Sequence, residues 1–212
     1  MLGSVLASDF ATLAARRLRP DPPGLNDATA NPNGDHALQP NSDFVPDLLP
    51  KPAAVLVPVV QRREPTVLLT ARATNLRHHS GQIAFPGGRM DPEDASPLDT
   101  ALREAEEEIG LERRFVTPIG YLDAYLTTTN YLIAPVVGLV TPNFSLTLNP
   151  FEVADAFEVP LHVILDPERH ELHSREWKGS LRHYYAISFN ERYIWGVTAG
   201  IIRNLYERLH QP

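Results

Sequence analysis

Apolar residues recur along this chain with two different periods. Residues 53–60 (AAVLVPVV) and 66–73 (TVLLTARA) are nearly continuous apolar runs rich in β-branched side chains, and the charged QRREP between them predicts a strand pair. Residues 119–126, 131–140 and 157–161 predict further strands, as does HYYAISF at 183–189, which turns through NER into YIWG. Three segments carry the helical period instead. Leu6, Phe10, Leu13, Ala14 and Leu18 predict an amphipathic helix within residues 1–19, and Val197, Ile201, Ile202, Leu205 and Leu209 form an apolar stripe near the C-terminus. The third is SPLDTALREAEEEIG, in which Leu98, Ala101, Leu102, Ala105 and Ile109 share one face. Its ends are written in local chemistry: Ser96 is suited to the N-cap, Pro97 to the first turn, Asp99 to a reciprocal capping contact, and Gly110 to a left-handed C-terminal position. No internal repeat is present. Strands before, between and after a few helices predict an α+β architecture, a mixed sheet covered by helices.

Between the first helix and the first strand, residues 20–52 hold prolines at 20, 22, 23, 32, 40, 46, 50 and 52. Proline fixes φ and removes an amide donor, so this stretch is expected to be a connector or arm that stays out of sheet interiors and long helices. It packs on the surface or reaches a second subunit, which leaves a homodimer open. The globular domain then runs over residues 53–212.

Composition narrows the chemistry. With 43% hydrophobic and 21% charged positions in 212 residues, one domain with extra length is expected. There is no cysteine, so disulfides, thiolate metal sites and cysteine nucleophiles are excluded. A net charge of −7 argues against a nucleic-acid binder, and no apolar run is long enough to span a bilayer, so no membrane is expected. The first twenty residues are rich in alanine and arginine, as transit peptides are, but their helical spacing favours an ordinary helix in a cytoplasmic protein.

On the helix at 96–110, Glu104, Glu107 and Glu108 converge at i, i+3 and i+4. Like charges at that spacing repel, and near a helix C-terminus the macrodipole disfavours them further. A solvated acidic face is one outcome; a hard divalent cation such as Mg²⁺ or Mn²⁺, which takes oxygen ligands, is the other. Arg103 is placed to pair with these carboxylates. The preceding FPGGR offers a glycine pair whose backbone can approach a ligand closely, so a glycine carbonyl is a candidate further ligand. A zinc hydrolase is disfavoured, because RHHSG lacks the i, i+4 histidine spacing of a helical zinc site.

Taken together, GGRMDPEDASPLDTALREAEEEIGL resembles the Nudix box, G-x5-E-x7-R-E-U-x-E-E-x-G-U with U a bulky aliphatic residue. Arg103 to Leu111 matches except for a small alanine at the first U, while the interval from Gly88 to Arg103 is one residue longer than the pattern's. The early acid of the box falls on Asp94 counted from the glycine and on Ala95 counted from the arginine, leaving Glu93 or Asp94 to take its place as a structural partner. Upstream, LLTARATNLRHHSGQIAFPGG is similar to the signature of the coenzyme A pyrophosphatase branch, with Arg72, Ala73, Arg77, His79, Gly81, Ile83, Ala84, Phe85, Pro86, Gly87 and Gly88 in step. NPFEVADAFEVPL and YIWGVTAGII also look like segments of that branch.

The resemblance implies a Nudix fold, a mixed β-sheet sandwiched between α-helices. It implies metal-dependent hydrolysis of the diphosphate of coenzyme A and its derivatives, giving adenosine 3′,5′-bisphosphate and 4′-phosphopantetheine or its acyl or disulfide form. Glu104, Glu107, Glu108 and the Gly88 carbonyl are the implied metal ligands for Mg²⁺ or Mn²⁺, and Arg103 orients the carboxylates. The general base is Glu152, from a later loop, or a box glutamate such as Glu107. Arg72, Arg77, His78, His79, Gly81, Gln82 and Phe85 fall on the substrate side, where arginine and histidine suit phosphate. Two other readings remain: a Nudix hydrolase of another nucleoside diphosphate derivative such as NADH or ADP-ribose, and a catalytically silent Nudix-fold binding module, from which loss of box glutamates would be expected.

Overall fold

The computed structural model describes residues 7–26, 33–39, 49–73, 81–177 and 180–210. Helix α1 (Ala7–Arg17) leads to strands β1 (Lys51–Val60), β2 (Thr66–Arg72), β3 (Ile83–Ala84) and β4 (Gly87–Arg89), and then to helix α2 (Pro97–Ile109). Strands β5 (Val116–Tyr121), β6 (Tyr125–Leu126), β7 (Tyr131–Val140) and β8 (Val153–Pro160) follow, then the short helix α3 (Leu161–Ile164). The chain closes with β9 (Glu171–Trp177), β10 (Ser180–Phe189), β11 (Arg192–Trp195) and α4 (Val197–His210).

An eight-stranded sheet forms the centre, its path running β3-β2-β1-β7-β5, with β4 on β1, β6 on β7 and β8 on β2. It is mixed: β1 and β7 are parallel over their whole length, whereas the other pairings are antiparallel. Both central strands are nearly continuous apolar runs because both of their faces are covered. On one face Ala54, Leu56, Val60, Leu68, Leu132, Ala134 and Val136 pack against Ala101, Leu102, Ala105 and Ile109 of α2. On the other, Val57, Val59, Val67, Leu69, Val137 and Leu139 meet Phe10, Ala14 and Leu18 of the N-terminal helix and its end, together with Ile201, Ile202 and Leu205 of α4. The smaller β11-β10-β9 sheet joins this second layer through Ile187 and Ile194. The helix–sheet–helix sandwich is therefore present, and of the described helices it puts α2 on the face where the glutamates lie.

The arm departs from expectation in one respect. Its end is part of β1, in which Pro52 pairs with Leu132, and it touches the sheet again where Asn33 bridges Tyr125. Proline is tolerated inside a central strand here because of where its missing donor falls. Along β1 the even-numbered residues face the antiparallel side: Leu56 N–H donates to Pro86 O, and Pro52 O accepts from Met90 N–H. Pro52 lies beyond the β4 pairing, which ends at Ala53, and Pro58 lies between that pairing and the β2 pairing, which begins at Val59. Neither position requires a donor.

Candidate active site

Helix α2 begins and ends as its sequence dictates. Ser96 Oγ accepts from Asp99 N–H at 3.2 Å, and Gly110 adopts φ 69° and returns its N–H to Glu106 O. With the helix pinned at both ends, Glu104 and Glu108 turn toward the sheet and Glu107 toward solvent. Glu108 is only 4% exposed. One of its oxygens accepts from Gly87 N–H at 3.2 Å, and the other lies 3.8 Å from Arg72 Nη1, too far for a full ion pair. Burial, together with the charges of Glu104 and Glu152, pushes the Glu108 carboxyl up to about 7. Burial also raises Glu104, which feels Glu107 and Glu152 as well. Glu152 thus stands close enough for its charge to act on both.

The approach of the glycine pair is tight. Gly87 has φ 155°, and a Cβ there would lie 2.4 Å from Ala54 O; a Cβ on Gly88 would lie 2.4 Å from Glu104 Oε1. Only glycine lets the β4 backbone run against the Glu104 carboxylate.

Arg103 organises the outer side of this cluster. Its Nε and Nη2 form a two-point contact with Asp94 at 3.0 and 2.9 Å, and its Nη1 reaches both Glu104 and Glu107 at 3.0 Å. Asp94 also accepts from Thr100 Oγ1 at 2.9 Å, while Glu93 is exposed. The extra residue in the box is therefore taken up so that Asp94, and not Glu93, partners the arginine. The Arg103 guanidinium holds the Asp94 carboxyl well below the usual carboxylate range. A carboxylate depressed in the fold stabilises it fully above its unfolded value of 3.8 and loses that contribution as pH falls from there. Asp94→Asn is expected to cost about 1–3 kcal/mol at pH 7 and to flatten the loss of stability below pH ~4. Urea unfolding of both proteins from pH 7 down to pH ~3 measures this; parallel curves would assign Asp94 no such role.

Glu152 reaches the helix because the preceding loop is tied to the end of α2. Thr147 N–H donates to Ile109 O and Asn149 N–H to Glu108 O, so two otherwise unpaired helix-end carbonyls are satisfied. Asn149 then folds the chain into a turn, its side-chain oxygen accepting from Phe151 N–H and its carbonyl from Glu152 N–H. The sequence signal for this was NPF, a turn-former that reads as an ordinary loop without the helix beside it.

Of the expected substrate-side residues, Arg72 faces Glu108, and its backbone is fixed by Gln82 O, which accepts its N–H, and by Gly81 N–H, which donates to its carbonyl. Phe85 is a correction: its ring is buried in the core with Val57, Ile83 and Leu122, so it supports the glycine turn rather than meeting a ligand. Arg77, His78 and His79 lie outside the described residues.

The donor set fits a hard divalent cation: carboxylate oxygens on one helix face, a carbonyl-bearing glycine backbone against one of them, and buried negative charge without a full partner. Among the described residues, no three acidic or histidine side chains already converge as a coordination sphere; Arg103 draws Glu104 and Glu107 to itself instead.

Comparison with known proteins places residues 50–179 in the NUDIX domain model. A protein of Yersinia pestis (strain Pestoides F) named as an uncharacterized Nudix hydrolase, NudL, is 44% identical over 157 residues, covering 74% of this chain and 79% of that protein. The NudL of Yersinia pseudotuberculosis serotype O:1b (strain IP 31758) matches equally. Among solved structures, the C. elegans Ap4A hydrolase binary complex aligns with 52% of this chain and 80% of its own, at 18% identity and a TM-score of 0.45. The NUDIX domain of Shewanella oneidensis NrtR complexed with ADP ribose aligns with 58% and 82%, at 18% identity and a TM-score of 0.43.

Proposed function

The chain belongs to the Nudix family, and from that premise we propose that it hydrolyses the diphosphate of coenzyme A and its derivatives with Mg²⁺ or Mn²⁺. The observation that carries the reading is the 3.8 Å approach of Arg72 to Glu108. Arg72 belongs to the upstream motif similar to the coenzyme A pyrophosphatase signature, and it stands beside a buried box glutamate, where a bound diphosphate would meet both.

Glu104, Glu108 and the Gly88 carbonyl would hold the cation, with Glu107 joining once it leaves Arg103. When bound, such a cation neutralises the diphosphate and acidifies the attacking water. Arg103, locked by Asp94, orients the Glu104 carboxylate through its Nη1 hydrogen bond. Arg72 supplies a delocalised, permanently charged donor to the phosphate oxygens. Glu152, carried on its own loop beside the cluster, takes the proton from water as the new P–O bond forms and the P–O–P bridge breaks. The buried face under Glu108 excludes solvent behind the reacting atoms.

Competitive turnover tests the substrate. With Mg²⁺, kcat/KM for coenzyme A is expected to exceed that for NADH and ADP-ribose by at least about tenfold, a difference of ~1.4 kcal/mol in transition-state binding. Equal or reversed ratios would assign the site to a different nucleoside diphosphate derivative.

A further inference from the structure

Among the described residues, Phe151 is one of the few large apolar side chains left in water, 76% exposed, and of these it is the one that stands on the turn carrying Glu152. The turn is tied at two points, Asn149 N–H to the carbonyl of Glu108 itself and Ala73 N–H to Glu152 O, and is closed on itself by Phe151 N–H to Asn149 Oδ1. Its backbone is therefore fixed relative to both α2 and the end of β2. An aromatic ring on a rigid turn loses little freedom on binding a flat partner and offers it a preformed face. Of its other exposed counterparts among the described residues, Leu49 precedes β1, and Leu172, Leu181 and Tyr193 lie on the β9–β11 sheet, on the far side of the central sheet from α2.

We infer that Phe151 is the stacking surface for the nucleobase of the substrate, and so a specificity-determining residue. The inference rests on the diphosphate-hydrolase reading above for its substrate class. The geometry supports a base over a protein partner. A nucleoside whose diphosphate met Arg72 and a cation held at Glu104 and Glu108 would carry its ring one sugar away, and Phe151 is the chain neighbour of Glu152, whose charge acts on both of those carboxylates. Stacking tolerates any flat ring, so Phe151 selects for the presence of a base, and other contacts choose among bases.

The kinetic test uses the full chain and two substrates: coenzyme A, and a diphosphate bearing the pantetheine arm but a plain alkyl group in place of adenosine. Phe151→Ala is expected to raise KM for coenzyme A about tenfold, within the range for losing one base–aromatic stack, and to leave kcat within about twofold. KM for the alkyl diphosphate should not move, and Phe151→Tyr should restore the wild-type value. An equal rise in KM on both substrates, or none on either, overturns the inference.

A second readout is independent of turnover. In Phe151→Trp, adenosine 3′,5′-bisphosphate should quench the added tryptophan emission, and a ribose bisphosphate without a base should not. Quenching with no hydrolysis of any diphosphate would leave the stacking intact and overturn the functional reading. Hydrolysis without quenching would overturn the stacking. A concentration-dependent dimer that Phe151→Ala dissociates would assign the ring to a second copy of this chain and also overturn it.

Discussion

Glu108→Gln is expected to remove hydrolysis while keeping the fold. The substitution preserves shape but takes away the one carboxylate among the described residues that is buried, which Gly87 N–H and Arg72 both face. A loss of roughly a hundred- to a thousandfold or more in kcat is expected, the range for deleting a group that stabilises transition-state charge. Stability should move the other way. Burial and the neighbouring carboxylates push the Glu108 carboxyl up to about 7 from its ordinary value of 4.5. Between those values the folded state binds more protons than the unfolded one, so this group's contribution to stability falls as pH rises through that window and stays lost above it. The glutamine has no such cost, so at pH ~8 without added cation the variant should melt no lower than the wild type. Added Mg²⁺ should raise the wild-type Tm and leave the variant's unchanged. A variant that keeps its activity, or whose Tm responds to Mg²⁺ as the wild type's does, would move the metal site elsewhere.

The glycine pair separates folding from function within two adjacent positions. An alanine at Gly87 would press its Cβ against backbone, 2.4 Å from Ala54 O and 2.6 Å from Val55 Cα, at a φ that side chains rarely adopt. Neither neighbour can step aside. Gly87→Ala should cost about 3 kcal/mol, which for a chain of this size lowers Tm by roughly 6–12 °C. At Gly88 the obstacle is the far end of Glu104, with Oε1 at 2.4 Å and Cδ at 2.5 Å. That side chain can swing away, so Gly88→Ala should keep its Tm within ~1 kcal/mol of stability and lose roughly ten- to a hundredfold in kcat through the displaced carboxylate. Thermal melts paired with turnover decide this; equal loss of Tm in both variants would mean that the Glu104 carboxylate is not free to move.

Helix α2 was legible because its information is local. Caps, apolar stripe and acidic face all lie within one stretch, and the structure starts and stops it at Pro97 and Ile109. Strand β7 likewise coincides with its apolar run. Elements shaped by distant partners were not legible. The run at 119–126 reads as one strand, yet it is broken between Tyr121 and Tyr125, where Asp123 turns out to meet Arg19 and Arg208. Strands β3 and β4 are too short for any period to register, and β9, ELHSREW, is an edge strand with few apolar positions. In the site, the spacing of Glu104 and Glu108 announced itself, whereas the choice of Asp94 over Glu93 depended on how the inserted residue was absorbed. Phe85 stood inside a motif suggestive of ligand contact, but its ring completes the core. Glu152 arrives through backbone bonds between a loop and a helix end, which no local pattern encodes.

The most direct test of a carboxylate-held cation acting on coenzyme A is hydrolysis in ¹⁸O-labelled water with Mg²⁺, analysed by mass spectrometry for wild type and Glu108→Gln side by side. The expected result is adenosine 3′,5′-bisphosphate and 4′-phosphopantetheine from the wild type only, with one ¹⁸O in whichever product carries the attacked phosphorus. No bisphosphate from the wild type, or equal product from both proteins, would contradict it.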